Sequence, residues 1–306
     1  MKKFLLAAVF LPAFALLYAQ QAPDLDYQPL ITSPQYPEGS GPVVFIDGAH
    51  NNFHTYAGGF RPFAQLLERD GYRVQGSEKA FTPALLDQCD LLVIANPVSD
   101  DDLGGWIKPN PPAFSRAEVK AVRRWVKSGG SLLLIADHMP FPGAASNLAE
   151  AFGFRFSNGF AMAEKQEFPP SRFDRASGTL RENTITNGAG TAERIDHIAS
   201  FTGSAFRIPK GAVPILTFGS DHHSLEPDTA WRFQPDTPSV PLAGWQQGAY
   251  LEYGKGRIVV YGEAAMLTAQ VVQERFKVGF NHPQADQNAQ LVLNTIHWLD
   301  TKENGR

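Results

Sequence analysis

SRAEVKAVRRWVKSGGSLLLIADH, residues 115–138, is the stretch that decides the fold. Ser115 followed three residues later by Glu118 is a capping box, the reciprocal pairing of side chain and backbone that opens a helix. Val119, Val122 and Val126, joined by Trp125, make an apolar stripe at helical spacing, and Gly129-Gly130 stops it. SLLLIA, residues 131–136, is then apolar without alternation, as in a strand covered on both faces. An amphipathic helix feeding such a strand is half of a βαβ unit and predicts a mostly parallel sheet.

The same pattern extends to either side. VVFI (Val43–Ile46) reads as a first strand, followed by a helix within Phe60–Asp70 that buries Phe63, Leu66 and Leu67 and ends at Gly71. Tyr72–Val74 reads as a short second strand and LLVIA (Leu91–Ala95) as another doubly covered one. Residues 96–112, rich in Pro, Gly and Asp, form a long loop of the kind used for lids and binding. A helix is expected from about Ala145 to Phe152. Residues 155–247, with pieces such as VPILTF (Val213–Phe218), predict irregular or β-rich additions. Ala249–Tyr253 and Arg257–Tyr261 around Gly254-Lys255-Gly256 read as a hairpin. Helices are then expected over 264–273 and 287–299. One α/β domain, residues 42–300, follows a linker or wrapping arm, 20–41, and precedes a tail, 301–306.

Composition narrows the function classes. The chain has 306 residues, 43% hydrophobic, enough for a substantial core. Its net charge of -4 offers no basic footprint, so nucleic acid is not an expected partner. Lys2 and Lys3 before the apolar run 4–17, with Ala19 at a cleavable position, read as a signal peptide over 1–19. The expected location is periplasmic or secreted, with no integral membrane segment after signal removal. Cys89 is the only cysteine, so no intramolecular disulfide forms. It precedes a strand and reads as a buried bystander.

In parallel sheets, ligands bind beyond the carboxyl ends of the strands. Three strands here end in acid or imidazole groups: Asp47, His50, Asn51, Asn52 and His54 after the first, Asp137-His138 after SLLLIA, and Glu263 after the hairpin. Two chemistries suit that set. His50, His54 and His138 with a carboxylate could hold a divalent metal, zinc above all, with a position open for water. Without a metal, Asp137, His138 and Glu263 could act as general acid, general base and orienter. Asn51 and Asn52 would bind substrate, and Trp106 in the long loop could stack on a substrate ring. Strand-end capping of loop backbone is the structural alternative for the same groups. Gly-x-Ser-x-Gly, phosphate-loop and Gly-x-Gly-x-x-Gly patterns are all missing, so no nucleotide cofactor is expected.

VVFIDGAHNNFHT, DLLVIANP, WVKSGGSLLLIADHMPFPGAA, GKGRIVVYGEAAMLTAQ and NAQLVLNTIHWL, in this order, resemble a bacterial domain-of-unknown-function family. That family groups with class I glutamine-amidotransferase-like proteins, near the ThuA-like (trehalose utilisation) branch. The resemblance implies a flavodoxin-like three-layer sandwich and, by analogy, a sugar-like ligand. It places Asp137-His138-Met139 where an amidotransferase carries its nucleophilic cysteine, so thiol-dependent glutamine hydrolysis is not expected. The expectation is an exported hydrolase acting on a carbohydrate or related small polar compound. The alternative is a non-catalytic module that binds a ligand or protein on the same fold.

Overall fold

The computed structural model describes residues 21–164 and 170–301. The signal segment expected over 1–19 lies outside them, as does the tail beyond Thr301. Nine strands build the central sheet: β1 (Val43–Asp47), β2 (Arg73–Ser77), β3 (Leu91–Ala95), β4 (Ser131–Ile135), β5 (Arg155–Phe156), β6 (Phe206–Arg207), β7 (Val213–Thr217), β8 (Gln246–Tyr253) and β9 (Gly256–Tyr261). Their order is β2-β1-β3-β4-β9-β8-β6-β5, with β7 also pairing β8. β2, β1, β3, β4 and β9 are parallel, and β8 returns antiparallel to β9 in the expected hairpin.

Every residue of β3 and β4 is buried, as their unbroken apolar runs require. Alternate residues serve opposite layers. Leu91, Val93, Leu133 and Ile135 pack with α1 (Arg61–Arg69) and the C-terminal helix Asn288–Asp300. Leu92, Ile94, Leu132 and Leu134 pack with two further helices, Arg116–Lys127 and Phe141–Glu150. Numbered in chain order, Arg116–Lys127 is α2, Phe141–Glu150 is α3 and Asn288–Asp300 is α4. The result is a three-layer α/β sandwich with antiparallel additions. Helix α2 opens with the expected capping box of Ser115 and Glu118.

Three expectations shift. Helix α3 begins at Phe141 rather than near Ala145, because Pro142 suits a first turn, where its missing N–H has no partner to lose. β2 extends to Ser77, held by backbone pairing to β1 rather than by apolar content. No helix covers 264–273. A single turn at Ala265–Leu267 gives way to a strand, Ala269–Val272, that pairs with Phe276–Gly279 and with Gln21–Pro23. The β-branched Val271 and Val272 favour that strand, and its second partner comes from the other end of the chain.

Residues 21–41 are therefore a wrapping arm. Beyond the Gln21–Pro23 pairing, the Gln35 backbone N–H donates to Asp70, and Tyr36 packs edge-on against Tyr72 and donates to Asp300. Asp70 also meets His297 Nε2 at 2.6 Å, so His297 is structural. Leu133→Ala is expected to destabilise the fold by about 2–5 kcal/mol, the range for deleting a fully buried leucine. Urea unfolding measures it, and a loss below about 1 kcal/mol would contradict its place between sheet and helices.

Candidate functional site

Because β1, β3, β4 and β9 are parallel, the residues after them share one edge of the sheet. The loops after β1 and β3 are laced together there. Phe53 N–H donates to the Asn96 carbonyl (2.9 Å) and Val98 N–H to the His50 carbonyl (2.9 Å). Asn96, directly after β3, also accepts the Asp137 N–H on its side-chain oxygen at 2.9 Å, joining β3 to β4.

His50 is locked between two carboxylates. Nδ1 lies 2.9 Å from Asp47 Oδ2, and Nε2 lies 2.9 Å from Glu118 Oε1. The rings of Phe81 and Phe114 enclose it at 4.5 and 4.7 Å. Burial opposes charge on the imidazole, but hydrogen bonds and charge from Asp47 and Glu118 outweigh it and hold the His50 pKa above the ordinary value. Burial pushes the Asp47 carboxyl up, against hydrogen bonds from His50 and the Ala49 N–H. Glu118 sits below its ordinary value: its burial is overcome by bonds from Ser115, His50 and the Phe81 N–H. The glutamate that caps α2 thus also fastens α2 to the end of β1. Both ring nitrogens of His50, expected as a metal ligand, face carboxylates in this structure.

Other expected ligands also turn inward. His54 is 3% exposed, stacked on Phe60 at 5.1 Å, with Nδ1 3.4 Å from Gln270 Nε2. Burial, and secondarily the charge of His138, push its pKa down to about 3, so it stays neutral. Gly59 makes room for it, since a Cβ there would lie 2.2 Å from Nδ1. Asn52 is buried and donates to the Ala95 carbonyl at 3.3 Å, whereas Asn51 is exposed and donates to Asp100 at 2.8 Å. Among the described residues, no group of three or more His, Cys, Asp or Glu side chains is disposed to hold a metal ion.

Asp137 and Glu263 do come together. Asp137 Oδ1 accepts the His138 N–H at 2.7 Å and Oδ2 the Ala264 N–H at 3.3 Å. Glu263, 1% exposed, accepts the Met266 N–H at 2.9 Å. Burial first, and the neighbouring Asp137 charge second, drive the Glu263 pKa well above the carboxylate range. Burial and a like charge both favour the protonated form of the Glu263 carboxyl.

Beside them sits His138, half-buried. Its Nδ1–H donates to the Met139 carbonyl at 2.8 Å, which in the neutral ring leaves the lone pair on Nε2. The ring stacks on Phe160 (4.7 Å, 9°) and meets Trp231 at 4.6 Å and Trp106 at 6.5 Å. Phe53 and Phe141 continue this aromatic group through Trp106. Trp106, from the long loop, lies in this aromatic group beside His138 and Phe141. Trp231, Phe160 and the second role of Glu118 were not legible, since nothing near Trp231 in sequence signals a site.

Other histidines lie elsewhere. His197 pairs with Asp286, and His222 packs on Phe173 and Phe218. A cleft of about 880 Å³ opens at the opposite edge, lined by Cys89, Asp90, Trp125 and Arg257 without any histidine. Burial, then the charges of Asp90 and Asp87, push the Cys89 thiol up to about 12, so it is no nucleophile.

No protein-family model and no curated protein matches the sequence. Among solved structures, the mmIFT52 N-terminal domain superposes with a TM-score of 0.60 at 15% identity, over 86% of this chain and 100% of that one. A protein described as ThuA-like, from Bacteroides uniformis, gives 0.47 at 10% identity, over 90% of this chain and 96% of that one. A GMP synthase protein from Thermoplasma acidophilum gives 0.41 at 11% identity, over 84% of this chain and 94% of that one. The first likeness is one of fold; the other two are weaker.

The His50 lock has a defined pH window. A raised imidazole pKa contributes stability that is complete below its unfolded value and fades as pH rises through the folded one. The lowered Glu118 pKa contributes above its unfolded value and fades as pH falls. The tie is therefore strongest between the ordinary carboxylate and imidazole values. In NMR titration His50 is expected to titrate above an ordinary histidine, and Glu118→Gln to bring it down. An unchanged His50 titration in that variant would refute the charge pairing.

Proposed function

We propose that this edge binds a carbohydrate or related small polar compound and that the chain is an exported hydrolase acting on it, with His138 moving the proton. The observation that supports this most is the setting of His138. Its tautomer is set by Met139, its ring is fixed against Phe160, and the ring remains partly open between two tryptophans. Nε2 takes a proton from water or a substrate hydroxyl and returns it to the leaving oxygen. Asp137 accepts the His138 backbone N–H and fixes the turn that carries the ring, and burial keeps Glu263 in its protonated form. Thiol chemistry has no place here, because the single cysteine lies at the other edge.

One observation favours a second reading, a module that binds without reacting. Both Asp137 oxygens already accept backbone N–H groups and Glu263 is sealed, so the carboxylates also serve to hold the loops. Turnover of chromogenic glycosides and of oligosaccharides separates the readings. His138→Gln is expected to lower kcat by about 10²–10⁴-fold with binding kept, the usual share of a general acid–base group. Binding without turnover in the wild type would leave only the binding module.

Export rests on the Lys2-Lys3 pair, the apolar run after it and Ala19. Fractionation with N-terminal sequencing is expected to find the mature chain outside the cytoplasm, beginning near Gln20. A full-length chain retained in the cytoplasm would overturn export and leave the site reading untouched.

A further inference from the structure

Six non-glycine residues among those described have positive φ, and four belong to this edge: Asn51 (48°), Asn96 (58°), Trp106 (50°) and Trp231 (64°). Asparagine tolerates that region. Tryptophan gains nothing from it locally, and a left-handed backbone costs an L-residue about 1–2 kcal/mol. Such outliers persist where surrounding structure imposes them, and they gather at functional sites.

What imposes these two is visible. The loops carrying them are joined by an antiparallel bridge, Ile107 to Thr229. Ala230 N–H donates to the Trp106 carbonyl at 3.0 Å and Lys108 N–H to the Asp228 carbonyl at 2.8 Å. Asn110 then pins the first loop, donating to Asp102 at 2.8 Å and accepting from Asn158 at 2.7 Å. Trp231 meets His138, Phe160 and Phe233 edge to face, yet remains 52% exposed. A protein of this size has ample core in which to bury an indole. Here it is instead held rigid, strained and half open beside an imidazole with a fixed tautomer.

We propose that Trp231 is the platform of a saccharide subsite. A pyranose ring lays a face of axial C–H groups on the indole, and Trp106 closes the side of the same subsite. This rests on the reading of His138 above and narrows it: the ring's rim of hydroxyls then reaches the imidazole while its apolar face is desolvated. The chemistry selects sugars with a continuous C–H face, in which the ring hydroxyls are mainly equatorial. Because the two tryptophan loops share backbone hydrogen bonds, loosening either loosens both.

The test uses the full chain and three probes, maltotriose, cellotriose and triacetylchitotriose, followed by intrinsic fluorescence and calorimetry. At least one is expected to bind the wild type and shift its tryptophan emission. Trp231→Gly should weaken that binding by about ten-fold or more, the scale of one aromatic contact. The fold should be kept, as far-ultraviolet circular dichroism reads, because glycine accepts a φ of 64° without strain. Trp231→Phe should keep part of the binding. Trp125→Phe, at the opposite edge, should leave it unchanged. Equal saccharide binding by wild type and Trp231→Gly overturns the platform while the His138 result stands by itself. Tryptophan-dependent binding without turnover keeps the platform and removes the catalytic reading. Failure of all three sugars to bind overturns the subsite, as does a dimer, seen by sedimentation, that Trp231→Gly splits.

Discussion

Two strands buried on both faces, β3 and β4, impose the constraint on which everything else depends. Their backbone groups have no water to turn to, so each must pair with neighbours on both sides. Their side chains need a helical layer above and below. Parallel pairing meets the first demand only if every connection crosses back over a face, and the crossing helices meet the second. The same crossings return each chain segment to the amino edge. All the parallel strands therefore discharge their following loops at the opposite edge, and Asp47, Asn96, Asp137 and Glu263 gather without any contact having been selected to gather them.

Polar groups delivered to a dry edge must then satisfy one another. His50 spends both nitrogens on Asp47 and Glu118, tying the end of β1 to the start of α2. Asp137 takes backbone donors from its own turn and from the turn after β9. Asn96 bridges the loops after β3 and β4. These ties use up most of the groups that look reactive in the sequence. What they leave is a rigid rim holding an imidazole, His138, with an open side. The aromatic wall around it is stiffened in the same way, by hydrogen bonds between loops that are themselves irregular.

The difference between His50 and His138 shows how far sequence reaches into such a site. Both follow a buried strand, and both sit beside acids in the sequence. Only the approach of α2 brings Glu118 onto His50, and Glu118 is fully explained in one dimension as a helix cap. Likewise Ala269–Val272 reads as the continuation of a helix until the N-terminal arm arrives beside it as a strand. In each case the deciding partner lies far away along the chain, where periodicity and spacing carry no information.

By itself the sequence determined the layered α/β architecture, the doubly covered strands, the capped helix and the edge at which the polar strand ends collect. These follow from local preferences: apolar periodicity, capping residues and glycine stops act over a few residues and add up along the chain. Tertiary structure alone decided which of the gathered groups remain free. It locked His50, sank His54, paired Asp137 with Glu263, and carried Trp231 from an ordinary-looking loop to the side of His138. Those outcomes depend on which side chains meet after the crossovers close, and on how dry the meeting place becomes, and neither is encoded in any short stretch of the chain.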